Sequence, residues 1–222
     1  MPASGVLDFP AWPFDADPVV IECCRFDDDL DAQRIETVAQ GIQAPLGIAS
    51  GSARWREWVL GRVLVQRAAQ RAGVGSGIVD ATDSGAPRLR EGHWSVSIAH
   101  TTGLVVAAVA PMPVGIDVER RDRDVTRLMR SFSPAEHDVA VSLGPIRALV
   151  AKEAAAKATE LGLGGSLTRW PLIDAELCGD TPTVSIASPD ERIVDVRMFD
   201  AWDYVVGVAV IPRPRGSFPT LA

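Results

Sequence analysis

The stretch Val114-Gly115-Ile116-Asp117-Val118-Glu119-Arg120 alternates apolar and polar residues, a pattern that predicts a β-strand with one buried face. Side chains two positions apart lie on the same face of a strand, so Asp117 and Glu119 are expected to point out together. Two adjacent carboxylates repel each other unless a cation lies between them, and a hard divalent ion such as Mg²⁺ is the simplest candidate. Taken alone, the pair is also compatible with a solvated strand face.

A second charged stretch, Lys152-Glu153-Ala154-Ala155-Ala156-Lys157, lies in the alanine-rich segment 145–161, which is predicted to form a helix that ends near Gly162. Glu153 and Lys157 are four residues apart, so both side chains face the same way on a helix. Such a pair on its own is typical of a surface ion pair. Together with the two carboxylates of the strand, the lysines indicate chemistry on a phosphate ester, assisted by Mg²⁺.

The composition predicts a globular protein with a sizeable core, because 47% of the 222 residues are hydrophobic. A formal net charge of −7 argues against general binding of nucleic acid. Three cysteines, two of them adjacent, do not form a disulfide framework and are typical of small buried residues in a reducing compartment. No basic leader is seen, and no run approaches the about 20 apolar residues of a membrane span. We therefore expect a soluble, cytoplasmic protein without membrane association.

The remaining patterns predict strands at 19–24, 94–98, 104–110 and across 172–211, and a helix over 52–72 that is capped by Ser52 and ended by Gly73. The strand beginning at Leu104 resembles the stretch that begins at Tyr204. This internal similarity predicts two similar α+β halves, residues 1–111 and 112–222, with the ligand site in the cleft between them.

Three segments together resemble the Sfp-type 4′-phosphopantetheinyl transferases. They are Ser97-Ile98-Ala99-His100-Thr101, Gly115-Ile116-Asp117-Val118-Glu119 and Lys152-Glu153-Ala154-Ala155-Ala156-Lys157. The stretch from Arg54 to Arg62 is similar to the arginine-bearing first helix of many members, so that the resemblance spans about residues 50 to 170. It implies two pseudo-equivalent α+β halves, each with a long helix packed on a small antiparallel sheet, and an active site between them.

The resemblance also implies the activity. The family transfers 4′-phosphopantetheine from coenzyme A to a serine of an apo acyl, polyketide or peptidyl carrier protein, depends on Mg²⁺ and releases 3′,5′-ADP. Such chemistry needs neutralised phosphates, a general base for the serine and a firmly held nucleotide. Two fused halves would make a monomer sufficient.

Residue roles follow from the same resemblance. Asp117, Glu119 and Glu153 are expected to hold the metal, and Glu153 is also the candidate general base. Lys152 and Lys157 are expected to contact the phosphates. Lys157 is also expected to be a catalytic residue, together with Glu153. The residues expected to bind the nucleotide and its 3′-phosphate are His100, Thr101, Arg54 and Arg62. In isolation, His100 is compatible with a structural histidine, and the two arginines are compatible with helix-surface charges.

The chain departs from the family pattern at Ala86, where a lysine is common, and at Ala99, where a serine is common. Aliphatic residues at 149 and 150 replace a usual aromatic. These changes motivate a second hypothesis, a degenerate homologue that binds coenzyme A or a carrier protein without transfer. A third reading is a Mg²⁺-dependent hydrolase of nucleotide pyrophosphates. Glu136 matches an acidic position of the family, and a helix-capping role explains it equally well.

A basic stretch follows the carboxylate strand in this acidic protein. Arg123, Arg127 and Arg130 are predicted to lie on one face of a short helix. Because carrier proteins are typically acidic, this face is a candidate docking strip. A solvated helix face is the alternative.

Overall fold

A computed structural model describes residues 19–26, 47–75, 77–82, 86–90, 92–125, 127–177 and 181–211. Within these residues no helix is long and apolar enough to cross a membrane. The strands are β1 (Val20–Arg25), β2 (Val79–Ala81), β3 (Pro87–Leu89), β4 (Ser95–Thr101), β5 (Leu104–Ala110), β6 (Val114–Arg120), β7 (Leu172–Glu176), β8 (Thr183–Ala187), β9 (Ile193–Ala201) and β10 (Tyr204–Val210). The helices are α1 (Ala53–Arg71), α2 (His137–Leu143) and α3 (Pro145–Ala158), with 3₁₀ turns at Leu128–Ser131, Pro134–Glu136 and Leu167–Arg169.

The helix limits follow from local signals in the sequence. The Ser52 hydroxyl accepts a hydrogen bond from the Trp55 amide at 3.1 Å, which satisfies one of the free donors at the start of α1. Gly73 follows the end of that helix with φ +72°, a conformation that glycine adopts without strain. Pro145 begins α3, where the missing amide hydrogen has no intrahelical role.

The strands form antiparallel sheets, so the predicted α+β class is confirmed. In one sheet β5 lies between β1 and β4, and in the other the order is β6, β10, β9, β8, β7. The two similar stretches noticed in the sequence are β5 and β10, and each pairs with a strand on either side. A short hairpin joins β2 to β3.

The helices and sheets pack in layers through contacts between apolar side chains. One face of β5 packs against α1, and the opposite face packs against apolar residues of β6 and β10. The other face of β10 packs against α3. Val114, Ile116 and Val118 enter the core between the sheets, as predicted. Asp117, however, does not point into solvent, because α3 covers its face of the strand and leaves the residue only 4% exposed.

The contact of α3 with β6 is unusually close at Gly115. A Cβ atom on this residue would lie 2.0 Å from the Ala154 carbonyl oxygen and 2.5 Å from the Ala158 nitrogen. Alanine on the helix and glycine on the strand therefore let the two backbones meet. This approach brings the Glu153–Lys157 part of the helix next to Asp117.

Serine hydroxyls connect the two sheets where β4 passes β6. The Ser95 hydroxyl accepts a hydrogen bond from the Val114 amide at 3.1 Å, and the Ser97 hydroxyl accepts one from the Ile116 amide at 3.0 Å. Side chains thus satisfy backbone donors that a neighbouring strand would otherwise satisfy. They also fix the end of β4, with His100 and Thr101, relative to the carboxylates of β6.

The predicted helix after the carboxylate strand is wrong for most of its length. Only Leu128–Ser131 forms a 3₁₀ turn, and Arg123 lies in an irregular segment before it. The segment turns back directly after β6, so that Arg123 forms an ion pair with Glu119, four residues earlier, and does not continue a helical face. The docking strip of Arg123, Arg127 and Arg130 therefore has no common helix.

Candidate active site

Asp117 and Lys157 form the centre of the site. The Nζ atom of Lys157 donates hydrogen bonds to Oδ1 of Asp117 at 2.8 Å and to the carbonyl oxygen of Ile116 at 3.0 Å. The second carboxylate oxygen, Oδ2, is buried and has no hydrogen-bond donor among the described residues. Burial raises the pKa of Asp117, and the charge of Lys157 opposes that rise. A buried carboxylate oxygen without a donor is an open ligand position.

Glu153 lies next to Asp117 in the same buried region, one helical turn before Lys157. Burial raises the pKa of Glu153 to about 7, and the charge of Asp117 acts in the same direction, while Lys157 and Arg123 oppose it. The side chain is therefore suited to accept and release a proton near neutral pH.

Glu119 has partners of its own. Its Oε2 atom accepts a hydrogen bond from the Thr101 hydroxyl at 3.1 Å, and its Oε1 atom forms a close ion pair with Arg123. Among the described residues, no three His, Cys, Asp or Glu side chains stand close enough together to hold a metal ion. The expected convergence of three carboxylates is therefore not present in this conformation.

The donor set nevertheless fits a hard divalent ion in part. Asp117 and Glu153 offer adjacent carboxylate oxygens in a buried place, and Oδ2 of Asp117 lacks a donor among the described residues. Mg²⁺ prefers one or two protein carboxylates and completes its shell with water and substrate phosphates. Glu119 can join them once its ion pair with Arg123 is released.

A pocket of about 500 Å³ opens beside Glu119. Its lining residues are Glu57, His100, Thr101, Thr102, Glu119, Arg120 and Arg123. His100, at the exposed end of β4, has its Nδ1 atom 3.3 Å from Oε2 of Glu57 on α1. The pocket thus brings together His100, Thr101 and Glu119, which the sequence analysis assigned to one site.

The two arginines of α1 differ in their surroundings. Arg62 is half-buried, stacks on the Trp58 ring with Cζ 3.6 Å from the centroid, and donates a hydrogen bond to the Trp58 carbonyl oxygen. Burial lowers the pKa of Arg62 to about 10, so the side chain stays charged at neutral pH. Arg54 is exposed near the start of the helix. Neither arginine lines the pocket described above.

The expectation that Lys152 contacts the phosphates disagrees with its burial. Its side chain is fully buried, forms a close ion pair with Oε1 of Glu136, and donates to the Leu167 carbonyl oxygen at 3.0 Å. The ammonium group also lies 4.3 Å from the centroid of the Phe132 ring. Burial lowers the pKa of Lys152, and Glu136 opposes that change. Lys152 therefore anchors α3 to the preceding 3₁₀ turn and does not face the pocket.

Glu136 likewise has a different partner from the one its helix-capping interpretation requires. Ser133 makes no side-chain hydrogen bond to the backbone of the turn, and its hydroxyl donates instead to Oε2 of Glu136 at 3.0 Å. The carboxylate is 1% exposed and pairs with Lys152. The four-residue motif thus builds a buried ion pair.

Sequence reasoning missed the site contributions of Glu57 and Arg123. Glu57 lies in the arginine-bearing stretch of α1, three residues after Arg54, and its position toward His100 depends on how α1 packs over β4. Arg123 is four residues after Glu119, a spacing that signals an ion pair only when the chain turns back after the strand. It does so here, where the Arg123 amide donates to the Arg120 carbonyl oxygen.

Comparisons with known proteins bear on the N-terminal part of this arrangement. Residues 47–110 match the family model described as the 4′-phosphopantetheinyl transferase N-terminal domain. A search of curated proteins gives no significant match. The matched segment runs from before α1 to the end of β5 and includes Glu57, His100 and Thr101. Residues 47–110 are therefore similar to the N-terminal domain of 4′-phosphopantetheinyl transferases.

Proposed function

We propose that the protein is an Sfp-type transferase that moves 4′-phosphopantetheine from coenzyme A to a serine of an apo acyl, polyketide or peptidyl carrier protein. The observation that carries the proposal is the contact of the buried Asp117 carboxylate with Lys157, with Glu153 one helical turn earlier on α3. It lies beside a pocket whose His100 and Thr101 belong to the matched transferase domain. A cation, two carboxylates and an adjacent pocket are the parts that phosphoryl transfer needs.

The two-halves arrangement belongs to the same proposal, with residues 1–111 and 112–222 as pseudo-equivalent units. It is supported by the positions of α1 and α3, since each covers one antiparallel sheet, and by β5 and β10, each of which pairs with a strand on both sides. The site then lies where the end of β4 in the first half meets β6 and α3 in the second. Such a boundary is a common place for a ligand site.

In the proposed reaction, the carrier serine attacks the β-phosphorus of coenzyme A, and the bond to the leaving 3′,5′-ADP breaks. Glu153, one helical turn before Lys157, accepts the serine proton as general base. Lys157 directs two of its N–H donors to Asp117 and Ile116, and its third can serve a phosphate oxygen. His100 and Thr101 hold the nucleotide in the pocket, and Arg54 and Arg62 attract its 3′-phosphate from α1.

Mg²⁺, held by Asp117, Glu153 and, after its release from Arg123, Glu119, would neutralise the charge of the pyrophosphate. Lys152 has no contact with substrate in this proposal. It fixes the N-terminal part of α3 through Glu136, and so holds Glu153, its neighbour along the chain, at Asp117.

The direct test is transfer to a carrier. The purified protein is incubated with coenzyme A, Mg²⁺ and apo carrier domains of the fatty-acid, polyketide and peptide types, and each carrier is weighed by mass spectrometry. We expect the mass of at least one carrier to rise by one phosphopantetheine, with 3′,5′-ADP as coproduct. If no carrier of the three types is modified, the transferase proposal is wrong.

The second candidate is binding without transfer. It is favoured by the burial of Lys152 and by the engagement of Glu119 with Arg123, both of which remove groups that the family pattern assigns to the site. Calorimetry with coenzyme A separates the candidates, because tight binding without modification of any carrier supports the non-catalytic one. Release of phosphopantetheine in the absence of a carrier would instead support hydrolysis.

A further inference from the structure

Both carboxylate oxygens of Glu119 have partners, and one of these partners is a half-exposed cation. Oε1 forms a close ion pair with Arg123, and Oε2 accepts from Thr101 at 3.1 Å. The Glu119 side chain is 12% exposed, whereas the Arg123 side chain is 46% exposed and comes from an irregular segment. The solvent-accessible guanidinium of Arg123 therefore pairs with the Glu119 carboxylate, which is largely shielded from solvent.

Arg123 acts on the other two acids as well. Burial raises the pKa of both Asp117 and Glu153, and the charge of Arg123 opposes that rise in each case. The guanidinium therefore partly neutralises the carboxylate cluster, by which we mean Asp117, Glu119 and Glu153. It also lines the pocket next to that cluster.

The two cations of the site differ in how firmly they are held. Lys157 is fixed by Asp117 and by the Ile116 carbonyl oxygen, and it extends from the last turn of α3. Arg123 is half exposed, and ion pairs of that kind contribute little net free energy because water solvates the separated charges well. Arg123 is consequently the cation that can leave.

We propose that Arg123 is a built-in counter-cation of the carboxylate cluster and that a divalent metal ion displaces it from Glu119. In the metal-free protein the ion pair offsets the charge of Glu119, the acid that would have to join Asp117 and Glu153 for three carboxylates to hold the metal. Binding of the metal requires Glu119 to turn from Arg123, so the guanidinium and the metal compete. This inference rests on the metal site of the proposed function.

The test measures binding of Mn²⁺ alone, by electron paramagnetic resonance, without coenzyme A or carrier. We expect Arg123→Gln to bind Mn²⁺ about fivefold more tightly than the wild-type protein, because the competing cation is lost. Arg123→Lys keeps the charge and should remain within about twofold of wild type. Arg120→Gln is the matched control, since Arg120 lines the same pocket but pairs with Asp122. It should not tighten binding.

The outcomes separate this inference from the proposed function. Unchanged or weaker Mn²⁺ binding by Arg123→Gln overturns the exchange, and so does an equal gain in Arg120→Gln, which would show a general charge effect. If the wild-type protein binds Mn²⁺ and Glu153→Gln weakens binding, the metal site stands even when the exchange fails. If neither the wild-type protein nor Arg123→Gln binds Mn²⁺, both the metal site and the exchange are refuted, whereas transfer to a carrier is judged separately.

Discussion

Lys157 on helix α3 donates a hydrogen bond to Asp117 on strand β6 across 2.8 Å, and this contact joins two parts of the chain that are distant in sequence. The same ammonium group reaches the Ile116 carbonyl oxygen on the strand. Glu153 lies one turn earlier on the helix, where it shares the buried space with Asp117. The chemistry proposed for the protein depends on this junction of helix and strand.

Replacing Glu153 by glutamine tests the general base. We expect Glu153→Gln to lower the rate of carrier modification by about 10² to 10⁴, because the amide cannot accept the serine proton. The thermal midpoint should not fall, since the substitution removes a carboxyl group whose ionised form is disfavoured by burial. Transfer is followed by mass spectrometry of the carrier, with thermal unfolding alongside.

Glu160→Gln is the matched control for that experiment. Glu160 is exposed just beyond the end of α3, so the same chemical change there should leave the transfer rate unaltered. Full transfer activity in Glu153→Gln would refute the role assigned to Glu153.

The stability of the metal-free protein should depend on pH through Glu153. The pKa of this group in the folded protein is about 7, above its usual value of 4.5. Between these values the folded state binds more protons than the unfolded state, so the free energy of unfolding falls as pH rises. Glu153→Gln removes this contribution, and its stability should fall less between pH about 5 and about 7.

Urea denaturation in a chelator at several pH values measures that difference. Asp117, whose pKa is also raised by burial, contributes in the same direction in both proteins. The two stability curves should therefore separate with increasing pH, although each retains a slope. Parallel curves would contradict the burial of an acidic proton at Glu153.

Removing one member of the Lys152–Glu136 pair should destabilise the fold strongly. Lys152→Met leaves the carboxylate of Glu136 buried without its cation, and we expect a loss of about 3–5 kcal/mol in the free energy of unfolding. Glu136→Gln should also be destabilising, because it leaves the buried ammonium group without a counter-charge. Urea denaturation of both single variants measures these losses.

The double variant Lys152→Met/Glu136→Gln buries no net charge and should recover part of the loss. Additive effects of the two substitutions would show that the pair is not coupled. A loss below about 1 kcal/mol in Lys152→Met would show that Lys152 is not confined to the core.

Gly115 should resist even the smallest side chain. In Gly115→Ala the new Cβ meets backbone atoms of Ala154 and Ala158, so α3 must move away from β6. We expect a loss of about 2–3 kcal/mol in stability and about a 10²-fold loss of transfer, since Glu153 and Lys157 move with the helix. Chemical denaturation and the carrier assay measure the two effects.

Gly207→Ala provides the comparison on the neighbouring strand β10. There the new Cβ comes closest to Cγ1 of Val150, at 2.8 Å, and a side-chain atom yields more easily than a helix backbone. We expect a smaller loss of stability and nearly normal transfer. Equal effects at the two glycines would contradict the special closeness of α3 to β6 at Gly115.

Local patterns in the sequence predicted much of this architecture. The limits of α1 and α3 agree with their capping residues to within a few positions, and β6 has the predicted apolar face. The helix predicted after Arg120 from the spacing of charged residues does not form. Arg123 pairs with Glu119 there instead. The periodicity of a sequence predicts which residues share a face of a helix or strand. It does not predict which distant segment of the chain covers that face.

The sequence by itself determined the α+β class, the alternation that sets Asp117 and Glu119 on one side of a strand, and the helical spacing that aligns Glu153 with Lys157. The tertiary structure decided which charges meet. It buried Lys152 against Glu136, turned Glu119 toward Thr101, and brought His100 to Glu57. The physical reason is range: backbone periodicity is set by neighbouring residues, whereas burial and charge pairing depend on close packing between segments far apart in the chain, as at Gly115.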